Sequence, residues 1–371
     1  MNQKHRQNQK QKAGMLKRGW TTGACATAAT KSAFTALITG EFLDPVSIIL
    51  PKGDAPSFAL AYEGLGDNFA TAAIIKDAGD DPDVTHGALI IAEIKRLKPG
   101  LGIIFKAGDG VGTVTRAGLP IEVGQAAINP VPRQLMSDVI TQLAKKYAVP
   151  ADVEICIRIP DGENIAKKTW NPRLGILGGL SILGTTGIVH PFSCSAWIAS
   201  IHRGVDVARA AGIFHIAGST GSTSEAAVAK FHNLPEIALM DMGDFVGGLL
   251  KYVRHQPVER VTIAGGFAKI TKLAMGLRDL HSARGQVDFN WMAAQFIVLG
   301  AAENLLPKIK NANTALEVLT LADAHNVDIA PHIAALALAH AIIITNNKTV
   351  KIDIVITNRQ GDVIAHKEAT T

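Results

Sequence analysis

The spacing of apolar and polar positions changes about midway along this chain, and the change predicts two halves of different construction. Up to about Trp170 the pattern is mixed. Small and apolar residues over 22–38 predict a helix, apolar runs at 46–50 and 101–106 predict strands, and Gly/Pro loops separate them. A second helix is expected over 85–97, stopped by Lys98-Pro99-Gly100, and a third over 132–147 with proline near its first turn. Residues 153–159 read as a strand that ends on the turn signal Pro160-Asp161-Gly162.

Beyond Asn171-Pro172, short apolar strands alternate with Gly-rich turns and helix-length segments. The strands 180–183, 213–217, 237–240 and 261–264 run into Gly184-Thr185-Thr186-Gly187, Gly218-Ser219-Thr220-Gly221, Asp241-Met242-Gly243-Asp244 and Gly265-Gly266. That order predicts a parallel sheet with helical crossovers. In a doubly wound sheet such loops share the carboxyl edge, where ligands bind at a topological switch point. Alternation over 350–356 and 362–366, around Asn358-Arg359-Gln360-Gly361, predicts a closing β-hairpin. The expected fold class is therefore α/β plus α+β in two domains. A basic tail at 1–17 precedes an N-terminal α+β domain at 18–170. A C-terminal Rossmann-like parallel α/β domain follows at 171–346, on the cofactor side, and the hairpin with its tail occupies 347–371.

Length supports this division, because 371 residues exceed what one hydrophobic core usually serves, and two domains imply a cleft. The formal charge of +5 points toward nucleic acid only until it is located. Lys4, Arg6, Lys10, Lys12, Lys17 and Arg18 fall in the first 18 residues, and without them 31 basic residues face 32 acidic ones. The body therefore lacks a basic excess and no nucleic-acid partner is expected. The Gln- and Lys-rich tail is too polar to fold and is expected to be disordered. No apolar stretch follows the basic N-terminus, so a cytoplasmic protein is expected. The apolar stretches 175–189 and 330–345 are shorter than the roughly 18 residues of a membrane span, and read as buried core. Cys25, Cys156 and Cys194 are scattered and odd in number, which argues for reduced thiols and against a cysteine zinc site.

Several familiar chemistries are excluded by context. Gly108-Asp109-Gly110-Val111-Gly112 follows an apolar strand, but Thr113-Val114-Thr115 does not open a helix, so the dinucleotide fingerprint fails. The chain has no GxxxxGK[ST] phosphate loop, no HExxH and no GxSxG. The loop Gly218-Ser219-Thr220-Gly221-Ser222 sits between strand and helix, where backbone N–H groups can approach a ligand. Asp241, about twenty residues on, stands where a nucleoside site would place an acid for ribose hydroxyls, so Gly218, Gly221 and Asp241 form the preferred cofactor set. His281 lies in a polar cluster with Arg278, Asp279, Ser282 and Arg284. Asn129-Pro130-Val131-Pro132-Arg133 is a stiff loop that either presents Arg133 as a carboxylate clamp or packs it on its own helix. His332 and His340, eight apart on an apolar helix, read as packed residues and not as a metal pair.

An ordered set of motifs from about Leu16 to His366 resembles the cobalt-precorrin-5B C(1)-methyltransferase family, CbiD. It comprises Arg18-Gly19-Trp20-Thr21-Thr22-Gly23-Ala24-Cys25-Ala26, Gly110-Val111-Gly112 with Gly118-Leu119, and Ala127-Ile128-Asn129-Pro130-Val131-Pro132-Arg133. It continues through Pro160-Asp161-Gly162, Ala166-Lys167-Lys168-Thr169, Asn171-Pro172-Arg173-Leu174-Gly175, Gly178-Gly179 and Ser181-Ile182-Leu183-Gly184-Thr185-Thr186-Gly187. It ends on Asp244-Phe245 with Gly248, then Lys269, Lys272, Gly276, His281 and Ser282. Departures are the long basic tail, Leu280 before His281, and the bulky His190-Pro191-Phe192.

The resemblance implies transfer of a methyl group from S-adenosylmethionine to C-1 of a cobalt-precorrin tetrapyrrole, with cobalt arriving in the substrate and no protein-bound metal. Gly184, Thr185, Thr186, Gly187, Gly218, Ser219, Gly221, Asp241 and Asp244 are then expected around the methyl donor in the 171–346 domain. Thr22, Arg116, Asn129, Arg133, Lys269 and Arg284 are expected to hold substrate, with Arg18, Lys31, Lys272 and Arg278 as further carboxylate clamps. Asp109 or His281 would take any proton the macrocycle loses. The partners implied are the tetrapyrrole, a homodimer mate and other corrin-pathway enzymes in transient contact. Two rivals remain at this level, an NAD(P)H-dependent precorrin reductase and a non-catalytic tetrapyrrole carrier, separated from the methyltransferase by which cofactor binds.

Overall fold

Alternation with a period of two builds the sheet of the first unit. In Leu89–Arg96 the buried positions are Ile90, Ala92 and Ile94, and in Val153–Arg158 they are Val153, Ile155 and Ile157. The computed structural model describes residues 16–369, in which contacts separate two compact units, Met1–Cys194 and Ser195–Thr371. Fifteen residues of the expected basic tail lie outside the described residues. Lys17 within it is anchored: its Nζ meets Asp77 Oδ2 at 2.6 Å and its N–H donates to Asp80 at 2.6 Å.

The first unit opens with β1 (Gly19–Trp20) and α1 (Thr22–Thr39). Two short strands, β2 (Val46–Ser47) and β3 (Ser57–Phe58), pair antiparallel. They are followed by β4 (Tyr62–Leu65), β5 (Phe69–Ile75), β6 (Leu89–Arg96) and β7 (Ile103–Ala107). After β8 (Gly110–Val111) and β9 (Thr113–Val114) come α2 (Pro130–Tyr147), β10 (Val153–Arg158) and α3 (Gly162–Ala166). The last three strands of the unit are β11 (Ile176–Leu177), β12 (Gly179–Leu180) and β13 (Ile188–Val189). The main sheet has order β4-β5-β6-β10-β7, antiparallel except for the β10–β7 pair.

Helix α1 carries only small side chains over much of its length, and Ala24, Ala26, Ala28, Ala29 and Ala33 are fully buried. It packs against β5 and β6 and against α2, so it is enclosed nearly all round, which explains its lack of a polar face. Thr21 caps its start by accepting from the Ala24 N–H at 3.2 Å, and Gly40, at φ +84°, closes its end by donating to the Ala36 carbonyl at 2.8 Å.

Two expectations change here. The helix expected over 85–97 is instead the strand β6, because Ile90, Ala92 and Ile94 alternate inward and pair with β5 and β10. The strand expected at 180–183 does not begin the second sheet. β12 runs parallel to β8, and β11 pairs antiparallel with β9, which ties 176–180 to the first unit and moves the division from 170 to Cys194.

The second unit begins with α4 (Cys194–Ala210), then β14 (His215–Ser219), α5 (Ser222–His232), β15 (Leu239–Asp241), α6 (Val246–His255), β16 (Arg260–Gly266) and α7 (Phe267–Ala274). Four helices follow, α8 (Phe289–Val298), α9 (Leu306–Lys310), α10 (Ala315–Ala324) and α11 (Ile329–Thr345), and then β17 (Lys351–Thr357) and β18 (Val363–Glu368). The sheet has order β15-β14-β16-β17-β18, parallel apart from the last pair. The closing hairpin therefore completes this sheet. One face, with Ile216, Val261, Ile263, Ile352 and Ile354, carries the large core shared with α4, α6, α7 and α11. The other, with Ala217, Ala264 and Val355, lies under Val228 of α5. Among the described residues no helix is long and apolar enough to cross a membrane.

Candidate functional site

Strand order alone places a switch point in the second unit. The chain leaves β14 toward β15 on one side, whereas β16 and β17 lie on the other, so the loops after β14 and β16 diverge at the carboxyl edge. A cleft of about 430 Å³ opens there. Its walls are the β14–α5 loop (Thr220, Gly221, Ser222, Thr223, Ser224), the β16–α7 junction (Gly266, Phe267, Ala268, Lys269), Leu316 and Leu319 of α10, and Thr357, Asn358 and Arg359 after β17.

The lining of the cleft combines groups that suit an anion with groups that suit an apolar moiety. Both α5 and α7 begin at it, capped by Gly221 and Gly266, neither of which offers a side chain to the first-turn N–H groups. The positive ends of two helix dipoles thus face one space lined by hydroxyls. Lys269 adds a cation, held in an ion pair with Asp244 and bonded to the Leu280 carbonyl at 3.3 Å. Arg359 adds an exposed guanidinium at the β17–β18 turn. Phe267, Leu316 and Leu319 supply the apolar wall. Ser219, fully buried just before the loop, has no hydrogen-bond partner for its Oγ among the described residues.

The candidates from the sequence divide between cleft and scaffold. Gly221 and Lys269 line the cleft, and Asp244 is tied to it through Lys269. Gly218 lies in β14 with no room for a side chain, since a Cβ there would meet Leu249 at 2.3 Å. Asp241 ends β15, its carbonyl accepting from Trp197 Nε1 at 3.0 Å, and is not a wall of the cleft. His281 and Arg284 share an exposed turn in which Asp279 binds Arg284 Nη1 at 2.6 Å and the His281 N–H at 3.0 Å. Lys272 donates to the Leu280 carbonyl at 2.9 Å; burial, and then the charge of Lys269, lower its pKa.

The remaining candidates belong to the first unit. Arg133 bonds the carbonyls of Ile128 (2.8 Å) and Ala126 (3.0 Å) and lies 5.2 Å from the Phe105 ring centre, which fastens its loop to α2. Asn129 precedes α2 without a side-chain cap bond, and its N–H donates to Ile182 O at 2.9 Å. Arg116 donates to Arg173 O at 3.1 Å. Asp109 is exposed on the turn between β7 and β8, where its carbonyl accepts from the Ile159 N–H. In 184–187, Gly184 (φ +132°) lies against Thr21, the Gly187 carbonyl accepts from the Thr21 N–H at 3.0 Å, Thr185 is exposed, and Thr186 Oγ1 accepts from the Ile188 N–H at 3.3 Å. Lys31 donates to Ser47 O at 2.7 Å.

Thr22 is buried, and its Oγ1 accepts from the Leu183 N–H at 3.0 Å. Thr22→Val is expected to strand that N–H and lower stability by about 1–3 kcal/mol. Equilibrium denaturation should show this loss while the KM for each substrate holds; a raised KM at unchanged stability would return Thr22 to substrate binding.

The sequence reading missed Thr223, Ser224, Leu316, Leu319 and Arg359. The hydroxyl run from Ser219 to Ser224 was a usable signal, but nothing in α10 or in the hairpin turn announces a shared wall, because the chain separates them by about a hundred residues.

Residues 8–191 match the family model described as CbiD, and residues 279–368 match the one described as CbiD, C-terminal domain. A protein of Brucella anthropi named cobalt-precorrin-5B C(1)-methyltransferase is 60% identical over 360 residues, covering 96% of this chain and 97% of that one. A protein of Brucella canis with the same name is 60% identical over 352 residues, with 94% and 95% covered. A crystal structure described as the cobalamin biosynthesis protein CbiD from Archaeoglobus fulgidus is 28% identical, covers 72% of this chain and 83% of that one, and superposes with a TM-score of 0.40.

Proposed function

Because this chain belongs to the CbiD family, we propose that it methylates C-1 of cobalt-precorrin-5B with S-adenosylmethionine as donor, and that the cleft of the second unit receives the donor. The observation that carries the second part is the convergence of two helix N-termini without side-chain caps on a cleft that also holds Lys269 and Arg359. The fit is specific to parts of the donor. A carboxylate matches the N–H groups and hydroxyls of Ser222–Ser224 and the two cations, and a purine matches Phe267, Leu316 and Leu319. In this reading the unit is a Rossmann-like donor domain, with the flavodoxin strand order and an antiparallel edge strand.

When bound, S-adenosylmethionine supplies a methyl group made electrophilic by its sulfonium. The chain's own contribution is placement and dryness. Helix N-termini and Lys269 hold the anionic end, the leucine wall excludes water, and fixing the donor relative to the ring carbon contributes up to roughly 7–11 kcal/mol as effective molarity. No covalent nucleophile is needed. A cytoplasmic location fits this role.

Purified protein given labelled donor and cobalt-precorrin-5B is expected to add a single methyl at C-1, read by mass spectrometry of the macrocycle. Absence of transfer with authentic substrate and folded protein would overturn the reading. Binding of NAD(P)H would then favour a reductase, and binding of the tetrapyrrole alone a carrier.

A further inference from the structure

At the opposite, amino edge of the same sheet, four side chains that the methyl-transfer reading does not use converge beneath the end of α5. His215 opens β14, His232 ends α5, Asp353 lies in β17 and His366 in β18. One ring nitrogen each from His215 and His232 and a carboxylate oxygen of Asp353 lie within 4.8 Å of one another. Asp353 Oδ2 sits 3.0 Å from His232 Nε2 and 3.2 Å from His366 Nε2. Those two separations are close to the edge of a tetrahedron around zinc, about 3.3 Å for metal–ligand bonds of roughly 2.0–2.1 Å.

We propose that His215, His232, Asp353 and His366 form a binding site for a divalent transition-metal ion of the zinc type. Asp353 is fully buried, and its second oxygen accepts from Arg260 Nε and Thr262 Oγ1, both at 2.9 Å. Those bonds fix the carboxylate so that Oδ2 faces the imidazoles, as outer-shell partners orient ligands in metal sites. Three imidazoles with one carboxylate favour zinc and its neighbours over magnesium or calcium, which prefer all-oxygen shells. Binding requires His215 to exchange its 2.9 Å contact with Thr262 Oγ1 for the metal or to turn its other nitrogen inward. Phe231 closes one side, edge-on to His232 and His366, while His366 stays partly exposed and leaves an entry path. This departs from the sequence expectation of no protein metal, which could not see ligands spread from 215 to 366.

The test uses the full chain without a polyhistidine tag, stripped with chelator and titrated with zinc by calorimetry. A parallel titration with cobalt(II) reports coordination through its visible absorption. One zinc per chain is expected, with intense four-coordinate cobalt bands and no response to magnesium. His232→Gln and His366→Gln should each weaken zinc binding at least about tenfold, with circular dichroism confirming that both fold. Absence of stoichiometric zinc binding by the unaltered chain would overturn the proposal. So would affinity unchanged in both variants, because the zinc would then sit on other surface groups.

Discussion

Lys269→Met is expected to lower kcat/KM for methyl transfer by between about 10- and 100-fold, chiefly through the KM for S-adenosylmethionine. The range follows from a charge-assisted hydrogen bond contributing about 1.5–3 kcal/mol. Lys269 stands in the first turn of α7, on the wall of the cleft, and its ammonium is held in place by Asp244 and the Leu280 carbonyl. Methionine keeps the length and the apolar stem but removes the cation from the point where both helix dipoles are directed. The pair with Asp244 is partly open to solvent, so its loss should change stability little. Lys269→Arg should recover part of the affinity. Steady-state kinetics with calorimetry of donor binding checks this, and an unchanged donor KM and affinity in Lys269→Met would remove the cleft as the donor site.

The second large effect concerns the fold of the first unit. Lys76 is only 2% exposed, and its Nζ lies 2.7 Å from Asp83 Oδ2. Asp83→Ala is expected to destabilise the unit by about 3–5 kcal/mol, because it leaves a buried ammonium without its anion. Asp83 also accepts from the Thr85 N–H at 2.8 Å and the Thr85 hydroxyl at 2.6 Å, bonds that shape the turn before β6. The joint replacement Lys76→Met with Asp83→Val should be much milder, since it removes the charge together with its partner. Chemical denaturation of the three proteins decides this, and a loss below about 1 kcal/mol in Asp83→Ala would show the ammonium finding water.

The pH dependence has a definite sign. Burial works to raise the Asp83 pKa, but the charge and hydrogen bond of Lys76 and the bonds from Thr85 outweigh it and leave the pKa lowered. A carboxyl with a depressed folded pKa contributes stability above its unfolded value, about 3.9, and loses it as pH falls through the folded value. Wild type should therefore lose more stability than Asp83→Ala across the acid range, and the two curves should converge at its low end.

Much of the architecture was legible because local chemistry dictates it. The small-residue run of α1, the proline at the start of α2 and the glycines at or next to the ends of strands β14 and β16 each declare their own conformation. The β14–α5 loop as a strand-to-helix turn was legible for the same reason, since a glycine and successive hydroxyls at a helix start are a local arrangement. Segment 85–97 was misread because a run of Leu, Ile and Ala suits helix and strand alike, and only pairing with β5 and β10 chooses. Likewise 176–180 carries the same Gly-rich texture as the second unit, yet hydrogen bonds to β8 and β9 assign it to the first.

By itself, then, the sequence determined the family and the two-part α/β construction, and it singled out the loop proposed above to receive the donor. Only the tertiary structure decided which side chains face each other. It joined Leu316, Leu319 and Arg359 to the Ser222–Ser224 loop, assigned Arg133 and Thr22 to holding their own scaffold, and gathered His215, His232, Asp353 and His366. The reason is physical: periodicity and turn chemistry act over a few residues, whereas a site depends on sheet order and register, which bring distant positions within a hydrogen bond of one another.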